Sequence, residues 1–160
     1  MTITAAEATK AFLDALAVGE SDPVAKREGI SPYFILYGGG SFEKLPHTTL
    51  GFPVWPGRDD SHAAGRYQFE PATWIEQATK LKLHDFGPAS QDEAAWDLAA
   101  TVYHHRLGRV LVDDLLASNL GRVAGALQST WTSLSGATFP ERYRAALAAP
   151  VDFGPAPSVA

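Results

Sequence analysis

The chain has 160 residues, of which 46% are hydrophobic and 19% charged, and it contains no cysteine. This length suffices for one domain with its own core, and the missing cysteines exclude disulfides and thiolate metal sites. The net charge is −5 at pH 7 and the basic residues are scattered, which argues against a nucleic-acid partner. Because no apolar run of about 18 residues and no signal peptide is visible, we expect no membrane partner.

The first predicted helix begins at Thr4. Glu7 follows three residues later, the spacing of a capping box in which each side chain accepts the other residue's backbone N–H. Apolar residues then recur at helical spacing and predict one buried face. These residues are Phe12, Leu13, Leu16 and Ala17.

Glu20 continues the row of Phe12 and Leu16 by one more helical turn. It therefore lies at the end of an apolar stripe, where Gly19 and Pro23 predict that the helix stops. Burial penalises a charged carboxylate, so the pKa of this glutamate is expected to be raised, as a general acid requires. On this stretch alone, a solvated glutamate at a helix end is the commoner case.

Residues 30–60 differ in composition from the rest of the chain. A β-branched and aromatic run at 33–37 is followed by Gly38, Gly39 and Gly40, and glycine and proline recur up to residue 60. This pattern predicts short strands in an irregular β-rich lobe. No Gly-Lys-Ser/Thr follows the three glycines, so we interpret them as a turn rather than a phosphate-binding loop.

Helices are predicted in the remainder of the chain. Pro71 suits the first position of one helix, and the Ser90–Glu93 spacing predicts a capping box that begins the longest helix, which Gly108 ends. Further helices are predicted at 110–117, at about 119–134 and from Pro140. We expect an α+β fold in a single domain of residues 1–150, with the β-rich lobe beside a helical lobe, a groove between them and a loosely held proline-rich tail at 151–160.

Other chemistries find little support in the sequence. His104 and His105 are adjacent and diverge by about 100° on a helix, so they cannot share a metal, and no His-Glu-x-x-His motif is present. No Gly-x-Ser-x-Gly elbow presents a nucleophilic serine. We therefore expect neither a metal nor another cofactor.

A loop of small residues precedes the Pro71 helix. Ser61 opens it, and Tyr67 and Gln68 provide a ring and an amide that are able to bind sugar hydroxyls and N-acetyl groups. An equally good interpretation is an ordinary loop in which Tyr67 and Phe69 anchor the backbone in the core.

Several segments, in this order, resemble the lambda-phage lysozyme (endolysin) family. They are 10–17 leading to Glu20, the Gly38-Gly39 turn, Ala64-Gly65-Arg66-Tyr67-Gln68, 85–92 before the longest helix, and 129–136 around Trp131. The resemblance covers about residues 10–136, and an Ala-x-Gly-x-Tyr-Gln-like motif recurs in lytic transglycosylases generally. It implies a lysozyme-like fold. Where the lambda enzyme has an aromatic residue and a serine before its glutamate, this chain has Val18 and Gly19.

The resemblance also implies an activity. Members of the family cleave the β-1,4 bond between N-acetylmuramic acid and N-acetylglucosamine in peptidoglycan without water, leaving 1,6-anhydro ends. Glu20 would be the catalytic acid and then the base. The residues implied to hold the sugar are Ser61, Arg66, Tyr67, Gln68 and Trp131, although the place of Trp131 on the stripe of Val123 and Leu127 favours a core position.

Two alternatives remain open at this stage. One is a hydrolytic muramidase in which Asp22, Asp59 or Asp60 activates water, and the other is an inactive glycan-binding virion protein with the same fold. We expect a monomer whose partner is the peptidoglycan glycan strand. Such a bacteriolytic, antimicrobial enzyme would be made in the host cytoplasm without a signal peptide and would reach the wall in the periplasm after release, for example through a holin.

Overall fold

The computed structural model describes residues 2–149, so the predicted tail at 151–160 lies outside the described residues. Within residues 2–149 the chain forms seven α-helices and two short 3-10 helices. The α-helices are α1 (Ala5–Glu20), α2 (Asp22–Glu28), α3 (Pro71–Leu81), α4 (Pro88–Leu107), α5 (Leu111–Leu116), α6 (Leu120–Leu127) and α7 (Phe139–Ala148). The 3-10 helices are Pro32–Phe34 and Thr132–Leu134.

The start of α1 confirms the predicted capping box. Glu7 donates its backbone N–H to Thr4 Oγ1 at 3.2 Å, and Thr4 donates its own to Glu7 Oε2 at 2.7 Å. Phe12 lies at the centre of the helical core, with its ring edge-on to Trp96 at 5.9 Å and to Phe139 at 6.0 Å. The apolar stripe of α1 is thus buried against α4 and α7, and the helix end that carries Glu20 is fixed by the core.

The predicted end of the first helix after Glu20 is confirmed, since α1 ends there and Pro23 lies in the first turn of a separate helix, α2, where proline's missing N–H costs nothing. Two other predictions about helices are wrong. Helix α4 begins at Pro88, and the Ser90 hydroxyl donates to Asp85 at 2.9 Å instead of capping the helix. The helix predicted at 119–134 ends at Leu127, and Trp131 lies just before the second 3-10 helix.

The lobe between α2 and α3 is less regular than predicted. In place of the strand expected at 33–37, it has a 3-10 turn followed by isolated antiparallel bridges, such as Ile35 with Ser41 and Leu36 with Ala64. The turn predicted at the three glycines is confirmed, since Gly38, Gly39 and Gly40 have φ of 80°, 115° and 89°, values that other residues rarely adopt.

The lobe and the helices share one apolar core. Phe52 and Phe69 of the lobe contact Phe86, and Phe86 lies 4.5 Å, edge-on, from Trp74 of α3. Since these rings are buried together, the lobe is held against the helices by packing rather than by a sheet. Across residues 2–149, none of the helices combines the length and the apolar character needed to cross a bilayer.

Candidate active site

Glu20 lies at the C-terminal end of α1, in a cleft of about 220 Å³ between the helices and the lobe. The helical side of the cleft is formed by Glu20, Ser21 and Val24, and the lobe side by Ile35, Leu36, Tyr37, Gly38 and Gln68. Among these lining residues, all within the described part of the chain, Glu20 carries the only carboxyl group. The groove that the sequence predicted between two lobes therefore exists, and its one acidic group is the predicted one.

The carboxyl group of Glu20 has a specific donor. The Ser133 hydroxyl donates to Glu20 Oε1 at 2.5 Å, and Arg142 Nη2 donates to the Ser133 carbonyl oxygen at 2.8 Å. Burial raises the pKa of Glu20, while the Ser133 hydrogen bond and the positive charge of Arg142 act in the opposite direction. The net shift of the pKa is upward, so Glu20 holds its proton more tightly in the folded protein than a glutamate in water does.

Ser133 and Arg142 were not predicted to support Glu20. Ser133 is 113 residues from Glu20 in the sequence, and Arg142 is on α7, which no local pattern places beside the end of α1. The packing of α7 on α1 brings them together. The sequence carries a hint of this arrangement at Gly19, because a glycine in the last turn of a helix permits close approach by another chain segment.

Of the predicted sugar-binding residues, Gln68 is the one that lines the cleft with Glu20. Its backbone is in the left-handed region, with φ of 52°, and its side-chain Nε2 donates to the Gly65 carbonyl oxygen at 2.8 Å. The Ser21 hydroxyl donates to the Arg66 carbonyl oxygen at 2.6 Å and so ties this loop to the end of α1. Gln68 and Glu20 are therefore held on opposite walls of one cleft.

Arg66, which is half-buried, and Tyr67, which is buried, do not line that cleft. The Arg66 guanidinium lies 5.3 Å from the centre of the Tyr33 ring and 5.7 Å from that of Tyr67, and it donates to Asp14 at 3.0 Å. The Tyr67 side chain is 0% exposed, and its hydroxyl donates to Asp92 at 2.6 Å. These contacts support the loop, and in this structure Tyr67 presents no surface to a sugar.

Ser61 and Trp131 also have structural partners. The Ser61 hydroxyl donates to Glu70 at 2.6 Å, and Trp131, 5% exposed, donates its indole N–H to the Tyr67 carbonyl oxygen at 3.1 Å. Neither residue lines the Glu20 cleft. Direct sugar contact by Ser61, Arg66, Tyr67 and Trp131 stays a prediction, whereas the observed contacts fix the path of the backbone that presents Gln68.

The acids considered for water activation lie elsewhere. Asp22 points to Arg66, with 3.7 Å between its Oδ1 and the Arg66 Nε, and lines a separate cavity of about 760 Å³. Asp59 and Asp60 are exposed residues of a tight turn, with φ of 49° and 62°. Within residues 2–149, no cluster of three or more histidine or acidic side chains is arranged to hold a metal ion.

Comparison with known proteins identifies the family. The Endolysin family model matches residues 10–149. The chain belongs to the Endolysin family. An endolysin of Escherichia phage P2 is 31% identical over 144 residues, which cover 82% of each chain. Family membership makes the chain a phage-type endolysin, an enzyme that degrades bacterial peptidoglycan.

Solved structures confirm the fold class. The lysozyme of bacteriophage lambda superposes with a TM-score of 0.62 at 22% identity, covering 92% of this chain and 93% of that one. The same lysozyme in complex with a chitohexasaccharide gives a TM-score of 0.67 at 24% identity, covering 91% of this chain and 96% of that one. The lysozyme-like fold, with a mainly helical lobe and a small irregular one, is thus confirmed, as is the resemblance found in the sequence.

Proposed function

We propose that this endolysin is a lytic transglycosylase that cleaves the β-1,4 bond between N-acetylmuramic acid and N-acetylglucosamine, with Glu20 as its catalytic residue. The observation that carries the proposal is that Glu20 has the single carboxyl group among the described residues that line the cleft. Most glycosidases that use water or an enzymic nucleophile have a second carboxyl, about 5–5.5 Å away for retention or about 6.5–9.5 Å away for inversion. A nucleophile within the substrate removes that need.

The reaction needs two proton transfers at one carboxyl group. Glu20 first gives its proton to the glycosidic oxygen as the bond from that oxygen to the anomeric carbon breaks. The 6-hydroxyl oxygen of the same muramyl residue then bonds to the anomeric carbon, and its proton passes to the Glu20 carboxylate. The enzyme is restored, no water is consumed, and the product ends in a 1,6-anhydro ring.

The electrostatics of Glu20 suit both halves of this sequence. Burial raises its pKa and favours the acid that the first step requires, while the Ser133 hydroxyl and the Arg142 charge support the carboxylate that follows. A carboxyl group paired directly with a cation would be ionised at the start and would have no proton to give. A carboxyl group that was only buried would lose its proton with difficulty, because nothing would stabilise the carboxylate left after the first step.

The walls of the cleft provide for sugar binding. Tyr37 is 39% exposed and offers a ring face, and Gln68 offers an amide on the same wall. The chitohexasaccharide bound to the lambda lysozyme supports an oligosaccharide of N-acetylated sugars as the ligand of this chain too. We propose that it acts on glycan strands of the wall after release from the cytoplasm.

The test is product analysis of digested peptidoglycan. The parent protein is expected to release fragments with anhydro ends, which are lighter by one water than hydrolysed ends. Glu20→Gln is expected to lose roughly 10²–10⁴-fold in rate, the contribution typical of a general acid–base residue. Asp59→Asn is the control, because it also replaces a carboxyl group by an amide, but at an exposed residue, and it should cleave peptidoglycan at the rate of the parent.

Two results would reject the proposal. Ends that retain the added water would mean hydrolysis, and Asp22→Asn would then be compared with the parent to find the water-activating acid. Binding of glycan strands by both the parent and Glu20→Gln, with no cleavage by either, would mean an inactive binding protein.

A further inference from the structure

Gly19 is in contact with the groups that surround Glu20. A Cβ built on Gly19 would collide with the Arg142 guanidinium and would lie 2.7 Å from the Ser133 hydroxyl oxygen and 2.8 Å from its Cβ. Real Cβ atoms do not approach so closely, so a side chain at residue 19 would displace Arg142, Ser133 or both. The glycine therefore makes room for these two residues at the end of α1.

Arg142 occupies this place at an energetic cost. Its Nε atom is buried and has no hydrogen-bond partner among the described residues, and burial lowers the pKa of its guanidinium. A buried, unpaired N–H destabilises a fold, and each such group in a native protein calls for a compensating role. The charged group that faces it is Glu20, whose negative form partly offsets the burial of Arg142.

The proposal rests on the transglycosylase function argued above. We propose that Ser133 and Arg142 are positioning residues, which orient the Glu20 carboxyl group and stabilise its charged form between the two proton transfers. Gly19 belongs to the same arrangement, because its missing side chain lets Arg142 reach the end of α1.

The contacts give Ser133 and Arg142 different roles. Ser133 occupies Oε1, while Oε2 accepts no hydrogen bond from a side chain of the described residues and is the oxygen left to exchange a proton with substrate. Arg142 makes no direct ion pair with Glu20 within residues 2–149, but donates to the Ser133 backbone. Its charge therefore supports the carboxylate without holding Glu20 permanently ionised.

Few other groups face Glu20. Ser133 comes from the second 3-10 helix, Arg142 from α7, and Tyr37 from the lobe across the cleft. Asp22 and Arg66, although close in sequence to Glu20 or to Gln68, face each other at the separate cavity. The pH dependence of activity should therefore respond to Ser133 and Arg142 before any other charged or polar group.

The experiment measures kcat/KM on soluble glycan strands across pH for the parent, Ser133→Ala, Arg142→Gln and Arg142→Lys. Activity requires protonated Glu20 and falls as the pH rises through its pKa. The part of the pH profile in which kcat/KM falls is called the falling limb. Because Ser133 and Arg142 both lower the pKa of Glu20, Ser133→Ala and Arg142→Gln should move this limb to higher pH while reducing the maximal rate about tenfold. Arg142→Lys, which keeps the charge, should return the limb towards that of the parent.

Arg144→Gln is the matched control. Arg144 is an exposed residue of the same helix, so this variant has the same change in net charge without removing a contact to Glu20 or Ser133. Its profile should coincide with the parent's. A shift of equal size in Arg144→Gln would attribute the effect to overall charge and would overturn the proposal.

The two proposals fail in different ways. Turnover by Glu20→Gln would overturn the transglycosylase mechanism itself. Loss of turnover in Glu20→Gln, together with an unmoved limb in Ser133→Ala and Arg142→Gln, would overturn only the positioning role. Should Arg142→Gln fail to fold, Ser133→Ala decides the question, because it removes a single oxygen atom from a half-buried side chain.

Discussion

Glu20 couples the folding of this protein to pH, because burial raises its pKa above the ordinary value of 4.5. A raised pKa means that the folded state binds the proton more tightly than the unfolded state. The stability that this proton contributes is fully present below about pH 4.5 and is lost as the pH rises through the raised pKa. At neutral pH the proposed catalytic residue is thus also a source of instability.

We therefore expect Glu20→Gln to be more stable than the parent at pH 8, by a few degrees in Tm, and to equal it near pH 4. The amide has no proton to lose and can still accept the Ser133 hydroxyl hydrogen bond. Thermal unfolding followed by circular dichroism from pH 4 to pH 8 measures the difference. A parent that is as stable as the variant at pH 8 would contradict the assigned direction of the shift.

The sequence predicts the position of Glu20 at the end of a buried helix face well, and the residues around it poorly. Glu20 follows from periodicity within one helix, since Phe12 and Leu16 fix the direction in which residue 20 projects. Arg66 and Tyr67 have the chemistry of sugar-binding residues, but side-chain type does not determine on which side of a loop a residue lies. Their contacts with Tyr33 and Asp92 depend on tertiary packing, as does the approach of Arg142.

The last turn of α1 offers a test at the scale of an element. Glycine in a helix costs about 1 kcal/mol relative to alanine, so Gly19→Ala would be stabilising if space allowed. Because a Cβ there collides with Arg142 and Ser133, we expect no gain in Tm and a loss of activity of about tenfold or more. Thermal unfolding and the rate of glycan cleavage measure the two effects.

Gly125 supplies the matched control for this prediction. It lies within α6, and a Cβ built there meets no atom within 4 Å. Gly125→Ala should therefore raise the stability by about 1 kcal/mol and leave the activity unchanged. Equal stabilisation by the two substitutions, with activity kept in both, would show that Ser133 and Arg142 do not require a glycine at residue 19.

Helix ends were predictable where the signal is local and stereochemical. The Thr4–Glu7 capping box, Pro71 near the start of α3 and Gly108 after α4 act through the backbone next to them. The prediction at Ser90 fails because its hydroxyl has a competing partner, Asp85, outside the helix. The end of α6 at Leu127 could not be predicted from local signals, because apolar residues continue at helical spacing to Trp131.

Asp114 joins the helices on the side of the domain built from α4, α5 and α6. Its buried carboxylate accepts hydrogen bonds from five donor atoms of four residues, at 2.6–2.9 Å. The donors are Tyr103 of α4, Arg109 before α5, Asn119 just before α6, and Arg122 of α6. No pattern in the sequence distinguishes Asp114 from its neighbour Asp113, because the convergence of these donors requires the folded helices.

The pH dependence of Asp114 has the opposite sign to that of Glu20. The Arg109 hydrogen bond, followed by that of Tyr103, lowers the pKa of Asp114 far below its ordinary value of 3.8, with burial opposing. Its contribution to stability is therefore present above about pH 3.8 and is lost as the pH falls towards the lowered pKa. Acid unfolding of this endolysin should thus depend on Asp114, whereas Glu20 favours the fold under the same conditions.

Asp114→Asn tests this assignment. The amide replaces an acceptor oxygen by a donor that faces Arg109 or Arg122, so we expect a Tm several degrees below that of the parent at pH 7. The difference should shrink as the pH falls below 3.8, because Asp114 then takes up a proton in the unfolded parent while the folded parent, with its lowered pKa, does not. Asp113→Asn, at the exposed neighbouring residue, should follow the parent at every pH. If both variants lost the same stability, or if the Asp114→Asn difference persisted unchanged into acid, the Tm loss would come from a change in packing and not from the charge of Asp114.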